Sequence, residues 1–224
     1  MYGKVKLTKR QIKEDKFTTF MLNAKHQFME NWQYYIMGVA IVILVIVAVV
    51  YYANSQAAKQ QEASERFSRA LLDYRNGSAE VALLGLNEIL TEYPDGEVAD
   101  QTTFLLAKIN FEDQNYPEAM RYFEMYTNKF KSNDLRRASA YGGVAACYEN
   151  QGDFLEAARR FVVAINEYPD GPLAADYSLS AMRDFLKGGD IESARAQFET
   201  IKEKYENTAL EDRAVRLFNE YANI

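Results

Sequence analysis

Residue types that build catalytic and metal sites are scarce in this sequence. The 224 residues include one histidine, His26, and one cysteine, Cys147. A lone histidine in the N-terminal segment excludes a histidine-based triad and a multi-histidine metal site, and a lone cysteine excludes an internal disulfide. No glycine-rich phosphate loop occurs, because Gly142-Gly143 and Gly188-Gly189 fit helix packing and a turn. We therefore expect no enzyme activity, no cofactor and no metal, and keep an enzyme with an unrecognised site only as an alternative.

Positive charge is scarce outside the first 33 residues. The formal net charge is −6, but residues 1–33 carry +4, so the rest of the chain carries −10. Nucleic-acid binding needs clustered positive charge. The acidic remainder therefore excludes a nucleic-acid partner.

Against these absences stands one long apolar run, Tyr34 to Ala53, which holds no charged residue. Twenty helical residues span about 30 Å, the thickness of the hydrocarbon core of a bilayer. Aromatic side chains that favour the headgroup level lie at both ends of the run: Trp32, Tyr34, Tyr35, Tyr51 and Tyr52. The run predicts a transmembrane helix over residues 34–53 and a single-pass membrane protein. The alternatives are a buried core helix and a cleaved signal peptide, whose apolar region is shorter and lies nearer the N-terminus.

The basic segment before the run, residues 1–33, predicts the orientation of the chain. From Thr8, a plausible N-cap, apolar residues recur at helical spacing with lysines and Arg10 between them. Because an excess of lysine and arginine stays in the cytoplasm, we expect a cytoplasmic N-terminus and an outer large domain. The positive charges at Lys59, Arg66 and Arg69 leave the opposite orientation open. The amphipathic segment can bind lipid headgroups, dock on a membrane partner or remain solvated.

After a helical stalk over residues 54–62, the chain repeats itself over residues 63–221. The small residues that open each second helix, Ala82, Ala119, Ala157 and Ala194, are spaced by 37, 38 and 37 residues. Turn signals containing glycine or asparagine recur in phase with them. Periods of 20–50 residues indicate stacked supersecondary units, each of which buries its apolar face only against its neighbours. We expect about four helix pairs and a ninth helix from Ala209 to Tyr221.

The third unit carries the clearest family resemblance. Its small residues, aromatic residues and proline follow one another as in the tetratricopeptide repeat: Tyr141, Val144, Ala145, Tyr148, Ala157, Phe161, Ala164 and Pro169. The period is nearer 37 than 34, and the first unit begins with Arg66 and Arg69 where apolar residues belong. The resemblance implies an all-α, right-handed solenoid that binds proteins, following a single N-terminal transmembrane helix and closed by a capping helix.

The whole layout resembles the YfgM-like ancillary subunits of the bacterial SecYEG translocon. A basic segment, one span and about four repeats carry this likeness. It implies an inner-membrane protein with a periplasmic repeat domain. The implied partners are the bilayer, the SecYEG translocon, a membrane-anchored chaperone and peptide or protein clients. The alternative is a structural scaffold of another envelope assembly, in outer-membrane biogenesis, division or motility.

If the repeat register holds, the first helix of each pair presents side chains to a peptide- or protein-binding groove. Aromatic and arginine side chains are the usual anchors of binding surfaces. The predicted groove residues are Phe67, Leu71, Tyr74, Arg75, Phe104, Lys108, Phe111, Glu149, Asn150, Leu179, Arg183 and Lys187.

Overall fold

The chain folds into α-helices in the computed structural model, which describes residues 9–131 and 133–222. This confirms the all-α class, since the described residues contain no strand. The helices are α1 Lys9–Arg75, α2 Ala79–Glu92, α3 Glu97–Glu112, α4 Tyr116–Lys129, α5 Asp134–Gln151, α6 Phe154–Glu167, α7 Ala174–Lys187, α8 Ile191–Lys204 and α9 Ala209–Ala222. The predicted N-cap Thr8 lies outside the described residues. The chain divides into two compact units, Met1–Lys59 and Gln60–Ile224.

The described part of the first unit belongs to α1. Its backbone leaves helical geometry at Asn31, where φ is −116° and ψ is 16°, and the Asn31 amide donates to the Gln27 carbonyl. The apolar run that follows is helical and its side chains are exposed, with Tyr34 at 70% and Tyr51 at 77%. Among the described residues, α1 is the one helix long and apolar enough to cross a membrane, and none of its apolar window is buried. This contradicts the interpretation of the run as a core helix.

The second unit consists of four helix pairs and a closing helix. The end of α1 pairs with α2, then α3 with α4, α5 with α6 and α7 with α8, and α9 packs on α7 and α8. The four alanines that open the second helices are all fully buried: Ala82, Ala119, Ala157 and Ala194. A side chain that ends at Cβ lets two helix backbones approach closely. The repeat therefore places its smallest apolar residue where its two helices meet.

The first helix pair keeps the same register despite its unusual sequence. Ala70 is 4% exposed and occupies the position of the fully buried Ala107, Ala145 and Met182 in the later pairs. Arg66, which replaces an apolar residue of the repeat pattern, donates to Glu62 and Glu92 at 2.8 and 2.9 Å. Since no pair stacks before the first one, this end of the unit can carry charge.

One residue of left-handed backbone ends the first helix of every pair. Gly77, Gly152 and Gly189 have φ between 81° and 84°, and Gln114 has φ 61° at the equivalent position of the second pair. The next amide bonds a carbonyl five residues back each time, for example Asp153 N to the Tyr148 carbonyl at 3.0 Å. These are Schellman-type helix ends, which favour glycine because a Cβ is strained at positive φ.

A buried carboxylate ties three helices together. Asp100 of α3 is 2% exposed, and its Oδ1 accepts from the Tyr126 hydroxyl of α4 at 2.9 Å and from Arg136 Nη1 of α5 at 2.6 Å. Burial, followed by this hydrogen bond, raises the pKa of Tyr126 to about 12. The hydroxyl therefore remains a donor throughout the physiological range.

This network generates a stability prediction. Asp100→Ala should lower the free energy of unfolding by about 3 kcal/mol, because it leaves the Arg136 guanidinium and the Tyr126 hydroxyl without their acceptor. Thermal and urea unfolding followed by circular dichroism measures the effect. The control is Glu118→Ala, which removes the exposed ion pair with Arg121 and should cost less than about 1 kcal/mol. Equal losses in the two variants would contradict the role given to Asp100.

Candidate peptide-binding groove

The first helices α3, α5 and α7 share the wall of an open cavity in the second unit. The cavity has a volume of about 330 Å³, and its floor includes aromatic rings of the second helices α4 and α6. Its lining is Phe111, Phe123, Gly142, Gly143, Ala146, Phe161, Asp176, Tyr177 and Ser180. We call this surface the groove. Successive helix pairs build it together, so it depends on the repeat stacking.

Two adjacent glycines in the middle of α5 shape the groove. A Cβ on Gly142 would lie 2.3 Å from the Tyr177 ring, and a Cβ on Gly143 would lie 2.6 Å from the Phe123 ring. Both distances are too short for any side chain, so the two rings lie directly against the α5 backbone. Glycine inside a helix costs about 1 kcal/mol relative to alanine. The close approach of these rings supplies the physical reason for that cost.

Tyr177 is fixed in place on the wall of the groove. Its hydroxyl donates to the Ala138 carbonyl at 3.2 Å, and its ring centroid lies 5.4 Å from that of Phe161. Burial raises its pKa to about 12, so the ring carries no charge in the physiological range. A fixed aromatic wall loses little conformational entropy when a ligand packs on it.

One charged side chain lines the groove. Asp176 of α7 is exposed over 68% of its side chain, and its Oδ1 lies 4.0 Å from Arg213 Nη1 of α9. An exposed pair at this distance contributes little and can exchange partners. The groove therefore combines an apolar, aromatic interior with a carboxylate at its edge. That combination suits an apolar side chain that is followed or preceded by a basic one.

The predicted aromatic and apolar residues divide between the groove and the core. Phe111 lines the groove. The others are half-buried or buried: Phe67, Leu71, Tyr74 and Phe104 pack against the core of the first two pairs, and Leu179 is buried in the core of the last two. Phe104 makes edge contacts with Phe123 and Tyr126, at centroid distances of 6.2 and 5.3 Å. Phe104 thus supports the floor of the groove from behind.

The predicted charged residues of α5 and α7 meet in one cluster. Glu149 Oε1 lies 2.7 Å from Arg183 Nη2 and 3.9 Å from Lys187 Nζ, and Lys187 also lies over the Phe154 ring. Elsewhere Arg75 and Lys108 are exposed, and the exposed Asn150 donates to the Ala146 carbonyl of its own helix. The structure brings Glu149, Arg183 and Lys187 together as partners of one another.

Most groove residues were absent from the predicted set. Gly142, Gly143, Ala146, Asp176, Tyr177 and Ser180 line the cavity, and of the predicted residues only Phe111 joins them. The sequence did contain a signal, because two adjacent glycines within a helical pattern need a packing reason. In the part of the chain that the structure describes, no group of His, Cys, Asp and Glu could hold a metal ion.

Comparison with known proteins identifies the family. A family profile described as a tetratricopeptide repeat-like domain matches residues 25–157, which is more than half of the chain. The chain belongs to the tetratricopeptide repeat-like domain family. The match begins before the apolar run and ends within α6, so the apolar run and the first tetratricopeptide-like pairs fall inside one family pattern.

Solved structures share the tetratricopeptide repeat-like fold at low identity. A tetratricopeptide repeat protein from Parabacteroides merdae is 13% identical with a TM-score of 0.60, over 73% of this chain and 61% of that one. A putative kinesin light chain with TPR-like repeats from Podosopora anserina is 13% identical with a TM-score of 0.54, over 71% and 84%. MamA is 17% identical with a TM-score of 0.50, over 69% and 92%. The chain thus spans less than two thirds of the Parabacteroides protein. No curated protein matches the sequence.

A buried carboxylate beside the charged cluster generates a pH prediction. Asp184 is fully buried, its Oδ1 accepts from Arg183 Nε at 3.0 Å, and its Oδ2 has no hydrogen-bond partner among the described residues. Burial raises the pKa of Asp184 from 3.8 to about 6, against the opposing effects of Arg183 and Lys187. The folded chain therefore holds this proton more tightly than the unfolded chain. The stability from Asp184 is fully present below about pH 4 and is lost as the pH rises through about 6.

Asp184→Asn should remove this loss while keeping an acceptor for Arg183. We expect the variant to be more stable than the original chain by about 2 kcal/mol at pH 7.5, and the advantage to vanish near pH 4. Urea unfolding across that range measures it. Asp95→Asn, on an exposed loop, is the matched control without pH dependence of this kind. An advantage that is independent of pH would contradict the assignment.

Proposed function

We propose that the protein is a non-catalytic, membrane-anchored protein-interaction module that binds segments of partner proteins in its groove. The observation that carries the proposal is the open apolar cavity of about 330 Å³. It is built by successive repeat pairs and carries one carboxylate at its edge. The repeat fold generally serves as a protein-binding scaffold, and extended repeat surfaces are the usual binding faces of solenoids.

The binding mode follows from the residues of the groove. An apolar side chain of a partner can enter between the Phe111, Phe161 and Tyr177 rings, where edge and face contacts contribute about 0.5–1.5 kcal/mol beyond the burial of apolar area. A neighbouring lysine or arginine can then pair with Asp176 and displace Arg213. The groove holds no nucleophile paired with a base, and we therefore assign it binding and no reaction.

The apolar run is proposed to anchor this module in a bilayer. Its helix has the length and composition of a membrane span, and its side chains are exposed. The family profile supports an uncleaved anchor, because it includes the run together with the repeats. A signal sequence near the N-terminus would show the same helix, and the mass of the mature protein distinguishes the two.

The charge distribution supports the proposed orientation. With a net charge of +4 on residues 1–33, the N-terminus is assigned to the cytoplasm and the repeats to the periplasm of a bacterial inner membrane. There the anchor holds the groove close to chains that emerge from the membrane, which raises their local concentration around it. We propose that it does so as an ancillary subunit of the SecYEG translocon, together with a membrane-anchored chaperone and secreted clients.

A structural scaffold of another envelope assembly is the second candidate. The charged cluster of Glu149, Arg183 and Lys187 favours it, because a set of ion pairs across α5 and α7 stiffens the surface that a fixed subunit would contact. The two candidates differ in their partners. A translocon subunit contacts many secreted chains in turn, and a scaffold contacts one fixed set.

Site-specific photocrosslinking in cells separates these candidates. A photoreactive residue is placed at Ile36 or Tyr52 in the apolar run and at Ser180 in the groove, and the adducts are identified by mass spectrometry. We expect translocon subunits from the run, and secreted chains or a chaperone from Ser180. A single fixed set of envelope proteins at both places would instead support the scaffold. The absence of any protein adduct at Ser180 would contradict binding in the groove.

Filling the groove should abolish the adducts without unfolding the chain. Ser180 is half-buried and lines the cavity, so Ser180→Phe places a ring in the space that a ligand would occupy. With the photoreactive residue moved to Ala146, we expect at least a fivefold loss of client adducts, at unchanged helical content. Ala196→Phe on the exposed side of α8 is the control for an added aromatic ring. Undiminished adducts in Ser180→Phe would move the binding site elsewhere.

A further inference from the structure

The second unit has one covered end and one open end. At its C-terminal side α9 lies across the last helix pair, where Phe218 is 6% exposed and stacks on Phe198 at a centroid distance of 4.7 Å. Among the described residues of α9, no large apolar side chain is exposed. Terminal repeats of a solenoid need such a polar outer face to remain soluble.

The opposite end lacks such a cover. Leu72 of α1 is 56% exposed, yet the residues at its position in the later pairs, Ile109, Cys147 and Asp184, are all fully buried. Ile109 and Cys147 lie in a core cluster with residues of the pair before them. The preceding pair is therefore what normally covers this position, and the first pair has none.

The second helix of the first pair is also apolar where its counterparts are polar. Val81 and Leu84 of α2 are 57% and 65% exposed. Arg121, Arg159 and Ala196 occupy the position of Leu84 in the later pairs, and glutamate or serine occupies that of Val81. Val81 and Leu84 line an open groove between α1 and α2 of about 880 Å³, with Ala70 and Gly85 at its base. We call this groove, together with Leu72, the open face.

The charges of the open face are complementary to one another across two copies. Arg69 on the α1 side and Glu88 on the α2 side both line the groove and are exposed. Within the described part of the chain, neither has an ion-pair partner, whereas Arg66 beside them is paired with Glu62 and Glu92. In a two-fold contact, any pair formed once is formed twice. Arg69 of each copy can therefore meet Glu88 of the other.

We propose that the open face is the contact between two copies of this chain. A head-to-tail assembly would need an uncovered C-terminal end, and α9 occupies that end. Two open faces that meet about a two-fold axis cover Leu72, Val81 and Leu84 of both copies and give a closed dimer. The proposal is independent of the groove and of its clients, because the two surfaces share no residue.

Cysteine crosslinking of the full chain in its membrane tests the contact directly. Leu84→Cys should give a disulfide-linked dimer under mild oxidation, since a two-fold axis brings the two copies of this position together. The native Cys147 is buried and burial raises its pKa to about 12, so the unsubstituted chain should give no dimer. Arg159→Cys, the equivalent exposed position of the third pair, is the matched control and should also remain monomeric.

Charge variants measure the same contact without a crosslink. By light scattering in detergent, Leu84→Glu should weaken dimerisation at least about tenfold, because it places an unpaired charge in the interface. Arg69→Glu should weaken it as well, and adding Glu88→Arg in the same chain should restore it. A chain that is monomeric throughout, a crosslinked product whose mass reveals a different protein, or a double variant that stays monomeric would each overturn the proposal.

Discussion

The structure of the second unit depends on the close approach of its paired helices. Ala82, Ala119, Ala157 and Ala194 are fully buried where the two helices of each pair meet. A larger side chain there would separate the helices and uncover the ring or leucine one turn later, such as Phe123 or Phe161. Because each pair covers its apolar face only with its neighbours, such a change would spread along the stack. Small residues at a fixed period are thus the condition for every other contact.

The groove is a consequence of the same constraint. Gly142 and Gly143 carry the preference for small residues to its limit, and the Phe123 and Tyr177 rings rest on the α5 backbone as a result. These rings then form a fixed apolar wall that the core does not consume. With one carboxylate, Asp176, at its edge, the surface recognises a side chain and performs no reaction on it. The chemistry of the groove and its position in a repeat stack therefore agree on protein binding.

Local patterns predicted the fold well, because the repeat is specified by short-range signals. The alanine period, the turn glycines and the helix from Ala209 all appear where the spacing placed them. The groove was less predictable, because helical spacing identifies a face without saying what the neighbouring pair covers. Leu179 shares the predicted face and is buried in the core. Glu149 and Arg183 lie 34 residues apart, and their ion pair depends on how α5 and α7 stack.

The rate at which a thiol in the groove reacts tests the central claim most directly. Ser180→Cys and Ala196→Cys are labelled with a maleimide, first in native membranes and then in the purified chain. If partner segments occupy the groove, Ser180→Cys should react several-fold more slowly in membranes than after purification, with Ala196→Cys reacting equally in both. An unchanged ratio of the two rates would contradict the occupation of the groove, and with it the function proposed for this protein.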